Sequence, residues 1–180
     1  MSYITTYQGI RMDPLHAKDE DIQIWDIAHA LSLLCRANGH FPHFYSVAQH
    51  CLNCMEEARA RGYSEKVQLG CLLHDAGEAY LSDVIRPIKP HLTGYYEIEE
   101  RLQNQIFNKW LPSPLTMVER TQVFEIDDAM LYHEFFTLTG QRVTEKTSDI
   151  CSAPVLEFVE FRRMEQRFIE EFEKLRKSVL

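Results

Sequence analysis

Gly-Cys-Leu-Leu-His-Asp-Ala-Gly-Glu, residues 70 to 78, sets an imidazole and a carboxylate side by side at the end of an apolar helical turn. Burying such a pair costs several kcal/mol unless each group is bonded or coordinated, and a divalent metal satisfies both together. His74-Asp75 therefore reads as half of a metal site carried by a helix, with a hydrogen-bonded structural pair as the alternative. The flanking sequence supplies further donors. Ser46, in Tyr-Ser-Val-Ala-Gln-His-Cys (45 to 51), is a good N-cap and puts His50 just past the first turn of a helix. Asp127 lies in the mostly apolar stretch Phe-Glu-Ile-Asp-Asp-Ala-Met-Leu (124 to 131). His50, His74, Asp75 and Asp127, from three helices, make a mixed nitrogen and oxygen site with positions left for water and substrate, which implies catalysis more than structural support. Two imidazole donors favour one divalent transition metal, Mn, Co, Fe, Ni or Zn, over Mg, which stays an alternative.

Outward from this centre the chain reads as an all-α single domain over residues 1 to 180, with no low-complexity linker, repeat or domain break. The first 14 residues, with Tyr3, Ile4, Thr5, Thr6, Tyr7 and Gly9, favour a short β-hairpin or extended arm ending at Pro14. Helices are expected at about 24 to 37, 46 to 61, 64 to 80, 93 to 110, 114 to 139 and 153 to 177. Pro42, Pro87, Pro90, Pro112 and Pro154 fall between or at the starts of these segments, as the missing amide donor requires. A continuous helix over 64 to 80 points Glu78 the same way as His74, four residues earlier, so that its carboxylate can orient water or take its proton. The competing reading of Glu78 is a solvent-facing helix residue. Asp83, just past this helix, suits proton transfer or substrate binding, or else a turn.

The net charge of -8 argues against a general nucleic-acid coat, though a local basic pocket can still bind phosphates. No run of about 18 apolar residues suggests a membrane span, and no secretion signal is indicated, so the expected location is cytoplasmic. Five cysteines, mostly inside apolar helical patterns, suit a reducing compartment better than a disulfide framework. Cys51 and Cys54 form a Cys-x-x-Cys without a second pair and read as packing residues. His29 is assigned to helix packing, and His40 and His43 to a loop near the pocket mouth. The segment from Glu157 to Lys177 reads as an amphipathic helix with a solvated face or an oligomer contact.

His50, His74-Asp75 and the distant Asp127 resemble the HD superfamily of metal-dependent phosphohydrolases. The resemblance extends to Glu78 and Asp83, with the spacing of the 5′-deoxynucleotidase branch, and the chain is also similar to phage enzymes that strip triphosphate from dATP. It covers most of the sequence, including Ile-Thr-Thr-Tyr-Gln-Gly (4 to 9) and residues 26 to 36. It implies an HD helical bundle that cleaves the 5′ phosphoester of a deoxynucleotide at the α-phosphorus. Glu78 and Asp83 are then catalytic, and the spacing to Glu134 in similar sequences favours Asp127 over Asp128 as the last ligand. Arg36, whose planar fork suits phosphate oxygens, is placed near the phosphate. Pro87 and Lys89, in the stiffened loop Arg-Pro-Ile-Lys-Pro (86 to 90), are placed near the nucleotide. For Arg86 and Lys89 a solvated surface role competes. Where some relatives follow the arginine with a base-stacking aromatic, this chain has Ala37-Asn38-Gly39, which leaves the base open. The expected partner is a small-molecule nucleotide, with no nucleic-acid polymer or membrane, and the protein is expected to be a homo-oligomer. Two other classes compete: an HD enzyme acting on a cyclic dinucleotide or guanosine alarmone, and a non-catalytic metal- or nucleotide-binding module.

Overall fold

The computed structural model describes residues 3–145 and 149–179; residues 1 and 2 of the expected N-terminal arm lie outside it. Strands β1 (Ile4–Thr5) and β2 (Arg11–Met12) pair antiparallel, Ile4 opposite Met12, around a turn in which Gly9 takes φ +80. The helices are α1 (Ile24–Leu33), α2 (Val47–Ala60), α3 (Glu65–Leu73), α4 (Glu78–Leu81), α5 (Tyr95–Trp110), α6 (Met117–Thr139) and α7 (Phe161–Val179). The chain is thus mostly helical with a small N-terminal hairpin. Among the described residues no helix is long and apolar enough to cross a membrane.

Capping explains where the central helices begin. Ser46, Ser64 and Thr116 each accept a hydrogen bond from a backbone N–H of the first turn, and Glu119 reaches back to the Thr116 N–H to complete a capping box. Val67, Leu69, Gly70, Cys71, Leu72 and Leu73 are all buried, so α3 is apolar on every side and occupies the centre. It packs on α2, α5, α6 and α7. A Cβ on Gly70 would stand 3.2 Å from Val123 Cγ2, so glycine permits the close approach of α3 to α6. That approach brings the end of α3 against the middle of α6, where Asp127 lies.

Three helix boundaries differ from expectation, each for a visible reason. The helix expected over 64 to 80 breaks at His74–Gly77, where Ala76 N–H bonds to Leu73 O and Glu78 N–H to Asp75 O in tight turns. Gln103 of α5 holds the break, accepting from Gly77 N–H at 3.0 Å and donating to Leu73 O at 2.7 Å. The helix expected over 24 to 37 stops at Leu33, because the following chain pairs instead with residues 45 to 47: Arg36 N–H bonds to Tyr45 O and Val47 N–H to Leu34 O. Ala37 and Asn38 then take left-handed backbone angles. The last helix starts at Phe161 rather than 153. Side-chain amides of α2 capture the preceding backbone, with Gln49 donating to Val155 O and Glu157 O, and Asn53 bonding Val155 O and N–H.

Glu57, near the end of α2 and fully buried, fastens the same segment one step earlier. Its carboxylate accepts from Cys151 N–H, Ser152 N–H, Ser152 Oγ and Arg61 Nε, the last two at 2.7 Å. Burial pushes its pKa up, but the bonds from Ser152, Cys151 and Arg61 outweigh burial and hold it below the usual glutamate value. A carboxyl that titrates lower folded than unfolded stabilises fully above the ordinary range and loses that contribution as pH falls through its folded value. Glu57→Gln is therefore expected to cost about 2 to 4 kcal/mol at neutral pH, where the charged acceptor is lost. Melting curves between about pH 7 and pH 3 check it, since the wild type should lose its advantage over the variant on acidification; parallel curves would contradict it.

Candidate metal centre

His50 is the fourth residue of α2, His74 and Asp75 follow the end of α3, and Asp127 sits midway along α6. Their donor atoms converge. His50 Nε2 lies 3.2 Å from His74 Nε2, 3.1 Å from Asp127 Oδ1 and 3.8 Å from Asp75 Oδ2. His74 Nε2 lies 3.2 Å from Asp75 Oδ2 and 3.6 Å from Asp127 Oδ1. Donors about 2.1 Å from a common ion are roughly 3.0 to 3.4 Å from one another in octahedral or tetrahedral arrangements, close to these separations.

The outward nitrogens decide which ring atoms are free. His50 Nδ1 is 2.7 Å from Glu134 Oε1 and His74 Nδ1 is 2.7 Å from Cys71 O. A backbone carbonyl can only accept and Glu134 is held ionised, so both Nδ1 atoms donate, and a ring in its neutral form then presents its Nε2 lone pair inward. This is the arrangement of metal-binding histidines, whose second nitrogen is fixed by an outer acceptor. Two imidazole lone pairs and two carboxylate oxygens facing one another repel unless a positive charge lies among them. The titration directions agree. Burial opposes charge on both rings, and Arg36 opposes it on His50, but the surrounding carboxylates push both imidazole pKa values up. Burial likewise works to raise Asp75 and Asp127, yet the histidines hold both carboxyls well below their usual range.

Two thiols adjoin the cluster. His50, Cys54 and His74 form one group able to hold a metal, and Cys51, His74 and Asp75 another. Cys54 Sγ is 3.5 Å from His50 Nε2. The expected packing role accounts for the full burial of both cysteines but not for this position. Burial pushes the Cys51 thiol up to about 11 and Cys54 up as well, so without a metal both stay protonated.

Glu134, two turns along α6 from Asp127, is fully buried and ties the site together. Besides His50 it accepts from Tyr45 Oη at 2.7 Å and Arg36 Nε at 3.0 Å. Burial raises its pKa, and His50 and Arg36 overcome that and keep it ionised. Sequence reasoning used Glu134 only as a spacing mark; the signal for more was an acidic residue seven positions from Asp127, on the same helical face. Glu134→Ala is expected to lower metal affinity about 10-fold to 100-fold, the usual cost of losing a ligand's outer partner. Metal titration of the variant against wild type measures this, and unchanged affinity would reduce Glu134 to a packing residue.

Two cavities meet at the cluster. One of about 610 Å³ is bounded by Arg36, Asp83, Arg86, Pro87, Tyr132 and Phe135 among others, and one of about 390 Å³ by His74, Tyr96, Gln103, Arg120 and Phe124 among others. Asp75, Glu78, Lys89 and Asp127 line both. Glu78 is therefore not solvent-facing: it is 6% exposed and reaches the cavities from the head of α4, beyond the break, rather than from the face of α3. Its Oε2 is buried with no hydrogen-bond partner among the described residues. Burial, then Asp75 and Asp83, push its pKa well up against Lys89 and Arg36. Asp83 Oδ2 accepts from Ala37 N–H at 3.3 Å, and burial raises its pKa.

The basic residues occupy different depths. Arg36 is buried, with Nη1 3.6 Å from Asp75 and Nη2 3.9 Å from Asp127. Lys89 is bonded to Glu99 at 2.6 Å and lies 3.9 Å from Glu78. Arg86, for which a solvated role competed, spans Asp127 and Asp128. Asp128 thus faces Arg86, while Asp127 turns Oδ2 to Arg86 and Oδ1 to the histidines. His29 bonds Glu165 and stacks on Tyr7, His43 bonds Leu156 O, and His40 lines the larger cavity.

No known family model matches the chain. Over 110 residues it is 38% identical to the uncharacterized protein YfdR of Escherichia coli, a stretch covering 61% of this chain and 59% of that protein. Over 118 residues it is 40% identical to an uncharacterized protein of Rhodobacter capsulatus, covering 59% of this chain and 60% of that protein. The chain thus spans about three fifths of the length of the curated relatives it matches.

Proposed function

We propose that the protein is a metal-dependent phosphohydrolase of the HD type that cleaves the 5′ phosphoester of deoxynucleotides at the α-phosphorus. One observation carries the reading: donor atoms of His50, His74, Asp75 and Asp127 converge where two cavities meet, beside a buried arginine and a carboxylate with one buried oxygen left without a hydrogen bond among the described residues. These four residues fit one divalent transition metal, Mn, Co, Fe, Ni or Zn, through two neutral imidazoles and two ionised carboxylates. Such an ion, when bound, polarises a phosphoryl oxygen and lowers the pKa of water. Asp127 rather than Cys54 is assigned to complete the set, because its Oδ1 lies 3.1 Å from His50 Nε2 and 3.6 Å from His74 Nε2 and supplies the distant aspartate of the His, His-Asp, Asp pattern.

The other residues bind and move protons. Arg36 holds a non-bridging oxygen of the α-phosphate, its position fixed by the bond to Glu134. Glu78 Oε2, buried and without a partner among the described residues where the two cavities meet, takes the proton of the attacking water. Asp83 delivers a proton to the departing 5′ oxygen. Pro87 and Lys89 bound the nucleotide on the loop side, and the apolar wall around Leu131 and Phe135 takes the nucleoside. Leaving Glu78 Oε2 buried without a partner costs free energy that a passive scaffold has no reason to retain, which favours catalysis over a binding module. The enzyme is read as a cytoplasmic homo-oligomer acting on a small nucleotide. A release assay across deoxynucleoside mono-, di- and triphosphates with Mn, Co, Fe, Ni, Zn and Mg tests the reading. Release of nucleoside with phosphate or oligophosphate is expected, and inertness with every pairing would contradict it.

A further inference from the structure

The two oxygens of Asp127 have different neighbours. Oδ1 faces the donor cluster, whereas Oδ2 accepts a 2.6 Å hydrogen bond from Arg86 Nη2. Arg86 Nη1 donates to Asp128 Oδ1, so adjacent carboxylates of α6 grip both arms of one guanidinium. The Phe124 ring, one turn earlier, lies 6.0 Å from it. A guanidinium has five N–H donors, of which these bonds take one on each arm. The Arg86 side chain is 46% exposed and lines the larger cavity. A cation is therefore fixed at the cavity wall with donors to spare. Arg36 and Lys89, the other arginine and lysine lining that cavity among the described residues, are only 9% and 15% exposed.

We propose that Arg86 is a phosphate-binding residue that selects substrates carrying a chain of phosphates, meeting a β- or γ-phosphate while Arg36 meets the α-phosphate. The proposal rests on the phosphohydrolase reading for the place of the α-phosphate. Arg36 and Arg86 approach the same carboxylate from its two oxygens, at 3.9 and 2.6 Å, so they are neighbours on one path leading outward. A single phosphate held at the buried arginine spends its oxygens on the inner site. A longer chain carries further oxygens out to Arg86.

The test compares binding of manganese-saturated inorganic tripolyphosphate with that of orthophosphate by calorimetry, using manganese-loaded wild type, Arg86→Ala and Arg86→Lys. Metal content and melting temperature are measured on the same samples. Arg86→Ala is expected to weaken tripolyphosphate about 10-fold to 100-fold and orthophosphate less than about threefold, with metal retained, and Arg86→Lys to fall between. Equal losses for both anions, or loss of metal, would overturn the proposal and leave Arg86 as a positioning residue for Asp127. A wild type that binds tripolyphosphate no more tightly than orthophosphate would overturn it too. Absence of deoxynucleotide turnover together with the expected Arg86-dependent binding would sink the hydrolase reading alone, and this proposal would stand.

Discussion

Asp127→Ala is expected to empty the metal centre and to cut deoxynucleotide turnover about 1,000-fold or more, while Cys54→Ala keeps both metal and most activity. The contrast follows from where the inward-facing atoms stand. Asp127 Oδ1 lies 3.1 Å from His50 Nε2 and 3.6 Å from His74 Nε2, and the histidines hold it as a carboxylate despite its burial. Cys54 Sγ stands farther from His50 Nε2, at 3.5 Å, and burial pushes its thiol pKa up. Asp75→Ala should behave like Asp127→Ala, because Asp75 Oδ2 stands 3.2 Å from His74 Nε2. Asp128→Ala should keep the metal, since its carboxylate turns to Arg86. Elemental analysis and turnover on the same preparations check all four variants. A full complement of metal in Asp127→Ala together with an empty Cys54→Ala would assign the site to His50, Cys54 and His74 instead.

Glu78→Gln should separate chemistry from metal binding. Glutamine keeps the shape of the side chain and removes the proton-accepting oxygen, so metal content and melting temperature hold while turnover falls about 100-fold to 10,000-fold. The large effect is expected because Glu78 sits where both cavities meet, with Oε2 buried and unpartnered. Lys89 stands 3.9 Å from its other oxygen and is anchored in turn by Glu99. Near-normal turnover in metal-replete Glu78→Gln would remove this residue from the chemistry and leave it as a buried partner of Lys89.

The helical character was legible in the sequence because it depends on local signals, whereas the choice of Asp127 to join His50, His74 and Asp75 came from the resemblance to HD proteins. Ser46 caps α2, apolar residues fill the buried end of α3, and Thr116 with Glu119 opens α6 in a capping box. What was not legible depends on contacts between distant segments. The break at His74–Gly77 exists because Gln103, on α5, satisfies the backbone groups that a continuous helix would have bonded itself. Residues 153 to 160 stay out of α7 because Gln49 and Asn53 of α2 claim their backbone. Glu134 and Arg86 were passed over or set level with a surface reading for the same reason. An acidic residue in a long helix and an arginine in a loop look solvated until the fold brings His50 to the one and Asp127 and Asp128 to the other.

Hydrolysis in ¹⁸O-enriched water tests the central claim most directly. Metal-loaded protein is incubated with dAMP and with dATP, and the products are weighed by mass spectrometry. Attack at the α-phosphorus with the 5′ oxygen leaving predicts unlabelled deoxyadenosine, with one ¹⁸O in the released phosphate or at one end of the released tripolyphosphate, and no such product from Asp127→Ala. Label in the deoxyadenosine, release of dAMP and pyrophosphate from dATP, or equal turnover by Asp127→Ala would contradict it.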